Sequence, residues 1–339
     1  MTRVPAALLA LAVGFGLAGC SKEATPAASA SGGPALKKVR VQLDWIAEPE
    51  HGGFYEAQAK GYFKAEGLDV ELIPGGPNAF VMPKIATGQA DIGQSDSTNV
   101  LLADNQDLPV VMIGAVFQND PSVLMLHADN PVSKFEDLNG KSIMARPEWA
   151  FLPYLRKKYH IDFQIIPQNF AVGNFIADQN FIQQGFYIAE PYHIVKGGAK
   201  YPKFLYAWDA GFDAYTVLIA NAPWAKANPE TVKAFMRAYI HGSRDYVGGD
   251  PAPAHALMKQ ANPNDTDEFM AFSRKMIVDE KLVIGRGAKD DANVGQISPE
   301  RIKLEIAQLE DLDILKPRGK LTPEKVVSTE YLPAAVPSH

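Results

Sequence analysis

The sequence predicts an α/β fold in which mainly parallel sheets are flanked by helices. Short β-rich segments alternate with helical patterns after residue 38, and this alternation is typical of parallel sheets with helical crossovers. The chain has 339 residues, 47% of them apolar, which is enough for two domains. It contains a single cysteine, so no disulfide joins two parts of it, and the hydrophobic core must supply its stability.

The first elements follow from β-branched runs and turn signals. A strand at 39–43 is followed by a loop at 44–52 and a helix at 54–66, and Gly67 after this helix fits a C-cap in the left-handed conformation. The next predicted elements are a strand at 69–73, a helix at 80–87, a strand at 90–93, a helix at 97–105, and strands at 110–116 and 123–127.

A second sheet is expected to begin after the turn at 131–140. Its strands are predicted at 142–145, 163–166 and 185–189. The segment at 215–220 is again strongly β-branched, and from residue 223 onward the pattern is mainly helical.

The N-terminus has the features of a secretion signal. Arg3 precedes an apolar run at 6–17, which is too short to span a bilayer. The run ends in Leu-Ala-Gly-Cys, which resembles the bacterial lipobox, so Cys20 is the expected site of lipid attachment. The alternative is a buried free cysteine. We therefore expect a lipoprotein signal peptide at 1–20 and a flexible tether, rich in Ala, Ser, Pro and Gly, at 21–37.

Charge and hydropathy exclude several classes of partner. The net charge is −6 and no long basic run is present, which argues against nucleic acid. No later segment is long and apolar enough to cross a membrane. The lipid would be the membrane contact, and Ser21 after the cysteine leaves the choice between inner and outer membrane open.

Several motifs in a fixed order carry a family resemblance. The run Leu-Asp-Trp at 43–45 is followed by His-Gly-Gly-Phe-Tyr at 51–55 and by Gly-Tyr-Phe…Gly-Leu-Asp-Val at 61–70. Gly-Gln-Ala-Asp-Ile-Gly at 88–93 and Leu-Asn-Gly-Lys at 138–141 extend the match. Together they resemble the family that binds nitrate, taurine, alkanesulfonates and pyrimidine precursors of thiamine, over nearly all of residues 38 to 330.

The resemblance implies a two-lobed fold of the type II periplasmic binding proteins, with the ligand in the cleft between the lobes. Lobe one would comprise residues 38–127 plus 216–330, and lobe two residues 128–215. The implied function is that of a monomeric substrate-binding lipoprotein, held in the periplasm or at the cell surface. It would capture a small molecule without any cofactor and pass it to an ABC permease in the inner membrane.

Polar and aromatic residues that follow predicted strands are the candidates for the site, because ligands bind at the carboxyl ends of such strands. Trp45 is suited to stacking on a flat ligand, although it could also fill a core position. Glu190 is either a ligand anchor or half of a buried ion pair. Ser95 and Asp96 could be helix N-caps, and His51 could be one too. The candidate ligand-binding residues are Trp45, Glu48, His51, Tyr55, Ser95, Asp96, Phe117, Arg146, Trp149, Glu190, Tyr192 and Tyr215.

The candidate residues near strand ends carry an excess of negative charge. Asp44, Asp209 and Asp213 also lie near strand ends and add to the negative charge of the acidic candidates. Arg146 is the only lysine or arginine among the candidates. This balance favours a neutral or cationic, amine-bearing or aromatic solute, similar to a thiamine pyrimidine precursor. An anionic sulfonate, taurine or nitrate is the alternative.

An enzyme of the same fold is the competing class. The fungal thiamine-pyrimidine synthase uses a lysine-bound cofactor, a donor histidine and a cysteine-rich run. The matching positions here are Ser95, Asn99 and the stretch at 211–215, none of which can perform that chemistry. The sequence also lacks hydrolase, nucleotide-binding and zinc-protease motifs, so it predicts no enzyme and no metal site.

Overall fold

The structure is a computed structural model that describes residues 35–335. Its ten strands are β1 (Lys37–Gln42), β2 (Leu68–Ile73), β3 (Ile92–Asp96), β4 (Val110–Phe117), β5 (Ser122–Leu126), β6 (Ser142–Ala145), β7 (Gln164–Pro167), β8 (Ile182–Phe186), β9 (Lys203–Tyr206) and β10 (Thr216–Asn221).

Thirteen α-helices accompany these strands in the described part of the chain. They are α1 (Gly52–Ala59), α2 (Tyr62–Ala65), α3 (Val81–Ala86), α4 (Ser97–Asn105), α5 (Phe151–Tyr159), α6 (Gly173–Ala177), α7 (Glu190–Lys196), α8 (Ala222–Ala227), α9 (Pro229–Gly248), α10 (Ala252–Ala261), α11 (Asp267–Asp279), α12 (Pro299–Asp311) and α13 (Pro323–Val326).

Two five-stranded mixed sheets organise the fold. The first has the strand order β2-β1-β3-β10-β4 and the second the order β7-β6-β8-β5-β9. In the first sheet only β10 runs antiparallel to its neighbours, and in the second only β5 does. The predicted α/β class with mainly parallel sheets is therefore confirmed, with one reversed strand in each sheet.

The chain passes from the first sheet to the second earlier than predicted. The strand predicted at 123–127 was expected to close lobe one, but β5 pairs with β8 and β9 in the second sheet. The break between β4 and β5 falls before Pro121, which has no N–H to donate to a neighbouring strand. The Asp120 carboxylate accepts a hydrogen bond from the N–H of Ser122 at 2.9 Å. The sheet boundary therefore lies at 118–121.

Several other predicted elements differ in their bounds, and two of these differences bear on the site. The helix expected at 54–66 divides into α1 and α2 because Gly61 adopts a left-handed backbone (φ 74°). The strand expected at 185–189 ends at Phe186 instead, because the chain turns before Pro191 and enters α7. Both changes affect the position of site residues relative to the strand ends.

Candidate functional site

A cavity of about 250 Å³ lies between loops of the two sheets. On one side, the lining residues come from the loops after strands β1 and β2 of the first sheet. On the other side, they come from the end of strand β8 of the second sheet and from the segments that follow β6, β7 and β8. This is the expected place for a ligand site in an α/β fold. The lining residues are Asp44, Trp45, Glu48, Glu50, Gly76 and Pro77 on one side, and Arg146, Glu148, Gln168, Phe170, Gln184, Gly185, Phe186, Ala189 and Glu190 on the other.

The loop after β1 is held against the loop after β2 by close backbone contact. The N–H of Gly75 donates to the carbonyl oxygen of Trp45 at 2.7 Å. A Cβ at position 75 would lie 2.3 Å from the carbonyl oxygen of Leu43, so only glycine allows this approach. The contact fixes the backbone from which the Trp45 ring reaches the cavity.

Two aromatic rings meet across the cavity. The centroids of Trp45 and Phe170 are 5.3 Å apart, with planes inclined by 41°. Phe170 comes from the loop after β7 and is 48% exposed, which is unusual for so large an apolar side chain. The pair offers an apolar aromatic surface formed by both sheet segments.

The charged groups lining the cavity are mostly acidic. Arg146 is the only lysine or arginine among the lining residues, and its Nη2 atom is already 3.9 Å from the Asp96 carboxylate. The lining carboxylates are Asp44, Glu48, Glu50, Glu148 and Glu190. The surface therefore favours a positively charged or hydrogen-bond-donating solute.

Burial keeps several of these carboxyls protonated to unusually high pH. Burial first, and then repulsion from Asp265 and Glu190, raise the pKa of Glu48 to about 8, while a hydrogen bond with the Trp45 side chain acts in the opposite direction. Burial and the neighbouring carboxylates also hold the pKa of Glu50 well above its usual range. A cation in the cavity would favour the ionised forms of these groups.

The Glu190 carboxyl is buried and is held by a backbone hydrogen bond. The Phe186 N–H donates to Oε2 of Glu190 at 2.8 Å, a contact that lowers the pKa of the carboxyl, but burial dominates and raises it to about 7. The N–H of Glu190 itself also lowers the pKa of this carboxyl, and the side chain lines the cavity.

Of the twelve sequence-predicted site residues, four line this cavity: Trp45, Glu48, Arg146 and Glu190. His51 lies beneath the wall, fully buried, with Nε2 3.1 Å from Oδ1 of Asp44. It precedes α1 but makes no side-chain cap bond there.

A second, smaller cavity adjoins the first through a shared residue. Asp96, Trp149 and Arg146 contribute to its wall. Asp96 is the N-cap of α4, because its Oδ1 accepts a hydrogen bond from the N–H of Asn99 at 2.8 Å. Asp213 also lines this cavity, whereas Asp209 lines neither of the two.

The remaining predicted residues have other surroundings. Tyr55 and Phe117 are buried in the hydrophobic core, and Ser95 is buried within β3 opposite Val217 of β10. The Tyr215 hydroxyl accepts a hydrogen bond from the N–H of Ser298 at 3.2 Å, and the Tyr192 hydroxyl lies 3.0 Å from the Thr266 hydroxyl. None of the five lines the 250 Å³ cavity, although Tyr215 lines a separate, more open cavity of about 400 Å³.

The sequence analysis missed several lining residues. Glu50, Glu148 and Phe170 follow strands β1, β6 and β7 at distances of three to eight residues. The candidates His51 and Trp149 lie even farther from the ends of β1 and β6, so distance did not exclude these residues, and no local pattern marked them. Gln184 and Phe186 were missed because the strand containing them was placed three residues too late.

Curated relatives of this chain include binding proteins and enzymes. The formylaminopyrimidine-binding protein of Halalkalibacterium halodurans is 28% identical over 63% of this chain and 68% of its own length. The riboflavin-binding protein RibY of Chloroflexus aurantiacus is 26% identical over 75% of this chain and 76% of its own length. A 4-amino-5-hydroxymethyl-2-methylpyrimidine phosphate synthase of Aspergillus parasiticus is 26% identical over 64% and 68%.

Solved structures share the fold at low sequence identity. The alkanesulfonate-binding protein SsuA of Xanthomonas axonopodis pv. citri, bound to MOPS, aligns with a TM-score of 0.62 and 13% identity over 88% of this chain and 99% of that one. The periplasmic nitrate-binding protein NrtA of Synechocystis PCC 6803 aligns with a TM-score of 0.60 and 15% identity over 88% of both chains. The described chain thus has the fold of these periplasmic binding proteins.

One family model also matches. Its description is NMT1/THI5 like, and the match extends over residues 48–254, more than half of the sequence. It includes the end of the loop after β1, from Glu48 onward, and all of the second sheet. The resemblance inferred from motif order is confirmed, and the chain belongs to the NMT1/THI5-like family.

Proposed function

We propose that this protein is a solute-binding component of an ABC importer, which captures a small molecule outside the cytoplasmic membrane and delivers it to a permease. Its family, its fold and the cavity between the sheets support this function. Two of its curated relatives are named as binding proteins for small aromatic compounds, a formylaminopyrimidine and riboflavin.

The observation that carries the proposed solute class is the composition of the cavity wall. Five carboxyl groups face it against the single guanidinium of Arg146, and Trp45 and Phe170 add aromatic surface. An amine-bearing or protonated flat ring satisfies both features, with Glu190 accepting its hydrogen bonds and Trp45 stacking on its face. A volume of about 250 Å³ is near the small end for ligand sites, so a single ring such as a pyrimidine suits it better than a flavin.

An anionic solute is the alternative within the same class. Among residues 35–335, Arg146 is the only lysine or arginine lining the cavity, and Asp96 already offers it a counter-charge at 3.9 Å. A sulfonate or nitrate would also approach the Glu190 and Glu48 carboxyls, which can only repel it when ionised. The wall therefore supports the cationic or amine-bearing class.

The proposal also chooses binding over synthesis, although synthases are among the relatives. At the positions corresponding to the synthase lysine and histidine, this chain has Ser95, buried in β3, and Asn99, whose side chain hydrogen-bonds to Asp96. An amide and a buried hydroxyl cannot replace a lysine-bound cofactor and a donor imidazole.

Mass spectrometry of the intact, freshly purified protein tests the proposal. A co-purified small molecule carrying an amine or an aromatic ring is the expected result, and a thermal-shift screen of pyrimidines, flavins, amines and sulfonates would identify its class. At a hundredfold excess over its dissociation constant, a true ligand stabilises the fold by about 2.7 kcal/mol. Binding of sulfonates alone would establish the anionic alternative.

The division into two lobes that close on the ligand remains part of the proposal. Several contacts connect the first-sheet and C-terminal segments with the second-sheet segment, among them Trp45 with Phe170, Arg146 with Asp96, and Tyr192 with Thr266. Small-angle scattering should detect a more compact particle at saturating ligand. An unchanged scattering profile, with binding verified by calorimetry, would contradict closure.

Membrane attachment through Cys20 is the last part of the proposal. Cys20 and the signal sequence lie outside the described residues, and no helix at 35–335 is long and apolar enough to cross a membrane. Cys20→Ser should abolish lipid attachment, because a serine cannot form the thioether. Wild-type protein that stays in the aqueous phase of a detergent partition would contradict the anchor.

A further inference from the structure

The loop after β1 brings three side chains with metal-binding atoms together at the cavity wall. They belong to Asp44, Glu50 and His51, and one ligand atom from each lies within 4.8 Å of the other two. Nε2 of His51 is 3.1 Å from Oδ1 of Asp44 and 3.5 Å from Oε1 of Glu50. The three residues lie within eight consecutive positions, between the end of β1 and the start of α1.

These separations match the distances between neighbouring ligand atoms around a bound metal ion. With metal–ligand bonds of about 2.0–2.1 Å, two ligands of a tetrahedral zinc ion lie about 3.3 Å apart. The two distances from Nε2 fall on either side of this value. An imidazole nitrogen with two carboxylate oxygens is also a donor set that zinc-like cations accept.

Glu50 provides an independent indication of a missing partner. Its side chain is only 6% exposed, yet it lines the cavity. Among residues 35–335 it accepts no hydrogen bond, and its one contact with a basic group is the 3.5 Å approach of His51. Burying a carboxylate without a donor or a counter-charge is costly, and a bound cation would offset that cost.

The cation would be accessible from the cavity. Asp44 has a side chain that is 31% exposed, and both Asp44 and Glu50 line the cavity, while His51 closes the site from below. Three protein ligands leave a fourth position of a tetrahedral ion open, here on the side of the cavity. A water molecule or a donor atom of a solute could occupy it.

We propose that Asp44, Glu50 and His51 bind one divalent transition-metal cation of the zinc type at the wall of the cleft. This goes beyond the proposed solute and does not depend on its identity. A hydrogen-bonded pair of His51 and Asp44 without a metal is the competing explanation, since 3.1 Å also suits an N–H···O bond. Metal-binding measurements distinguish the two.

The test uses tag-free mature protein, treated with a chelator and then titrated with Zn²⁺ alone in a calorimeter. We expect one ion per chain, bound more weakly in the variants below, and Co²⁺ in the same site should give the intense visible absorption of four-coordinate cobalt. No binding at millimolar Zn²⁺ would overturn the proposal. Solute binding is measured separately on the metal-free protein, so failure of one proposal does not imply failure of the other.

Variants locate the ion. Asp44→Asn and Glu50→Gln each remove a ligand charge with little change of shape, and we expect each to weaken Zn²⁺ binding by about tenfold or more. Glu148→Gln is the matched control, because Glu148 lines the same cavity outside the cluster. It should leave Zn²⁺ affinity within about twofold. Equal losses in Glu148→Gln and Asp44→Asn would mean diffuse attraction to an acidic surface and would overturn the site. Asp44 is half-exposed, so Asp44→Asn tests the proposal even if Glu50→Gln fails to fold.

Discussion

Single residues set the orientation of the Glu190 carboxylate. Oε2 is held by the N–H of Phe186 at 2.8 Å, and a Cβ at position 185 would lie 3.1 Å from the carboxyl carbon of Glu190. Gly185 therefore gives this side chain the space it occupies. A carboxylate that is already oriented loses little conformational freedom when a ligand binds.

The aromatic pair provides a prediction at the same scale. Phe170→Ala removes the ring that faces Trp45 at 5.3 Å and should weaken solute binding about two- to tenfold, since such pairs contribute about 0.5–1.5 kcal/mol. Calorimetry with the co-purified solute measures the change. Phe80→Ala is the control, because Phe80 is a 64% exposed phenylalanine that does not line the cavity. Equal affinities of wild type and Phe170→Ala would exclude a role for this ring.

Site residues were predictable where they directly follow a strand whose end is visible in the sequence. Arg146 satisfies that condition, because it comes directly after Ala145, the last residue of β6, and Trp45 lies three residues beyond Gln42, the last residue of β1. Phe170 also lies three residues beyond its strand, β7, but no local pattern marks it as a site residue, and only the folded loop turns its ring toward Trp45. Loop conformation depends on tertiary contacts that no local pattern reports.

At the scale of the elements, helices α1 and α9 pack closely against each other at glycine residues. A Cβ at Gly242 of α9 would lie 2.4 Å from the carbonyl oxygen of Gly53 and 2.7 Å from the Cβ of Ala57, both in α1. Because α1 follows directly after the loop that contains His51, this contact also supports the wall of the cavity.

Gly242→Ala should therefore destabilise the protein by about 1–3 kcal/mol, as expected when an atom is forced into a packed contact. Chemical denaturation measures the loss in the free energy of unfolding. Gly248→Ala in the same helix is the control: no atom lies within 4 Å of its added Cβ, and alanine favours helix, so its stability should be unchanged or slightly higher. A stable Gly242→Ala variant would mean that the two helices can separate at no cost.

Many elements of the first sheet were predictable in type, whereas β9 and the helices α5, α6 and α7 were not predicted, and the bounds of other elements depended on single residues. α4 begins and ends where the sequence predicted, because Asp96 is a recognisable N-cap. The helix after the first loop was predicted as continuous because Gly61 within a helical pattern does not by itself specify a break. Its left-handed φ of 74° becomes visible only in the structure.

At the scale of the whole molecule, the order of strands in each sheet depends on contacts between distant segments. β10 inserts between β3 and β4 after the chain has completed the second sheet, and β5 inserts between β8 and β9. Alternating strands and helices predicted the class, and the family resemblance implied the return to the first sheet. The antiparallel direction of the two inserted strands has no local signature, because both are uniformly buried.

Buried carboxyls make stability depend on pH across the whole molecule. Burial raises the pKa of Glu305 to about 7, although hydroxyls of Ser97 and Thr98 donate to it, and that of Glu190 also to about 7. The folded state then holds these protons more tightly than the unfolded chain does. Their contribution to the free energy of unfolding is therefore complete below about pH 4.5 and is lost as the pH rises through about 7.

We therefore expect a lower melting temperature at pH 8 than at pH 5, at constant ionic strength. Glu305→Gln removes one of the titrating carboxyls. The difference between its melting temperatures at pH 5 and pH 8 should therefore be smaller than that of the wild type. A wild-type melting temperature that rises from pH 5 to pH 8 would contradict the assignment of these groups as buried carboxyls with raised pKa values.

The central claim is that an amine-bearing or cationic solute binds between the two sheets with Glu190 as its anchor. Calorimetric titration of Glu190→Gln with the co-purified solute tests it most directly, with Glu136→Gln, an exposed site outside the cavity, as control. A charge-assisted hydrogen bond contributes about 1.5–3 kcal/mol, so Glu190→Gln should bind about ten- to a hundredfold more weakly while Glu136→Gln binds as the wild type does. Unchanged or tighter binding by Glu190→Gln would contradict the claim, and tighter binding would indicate an anionic solute, since removing the carboxylate would then relieve repulsion.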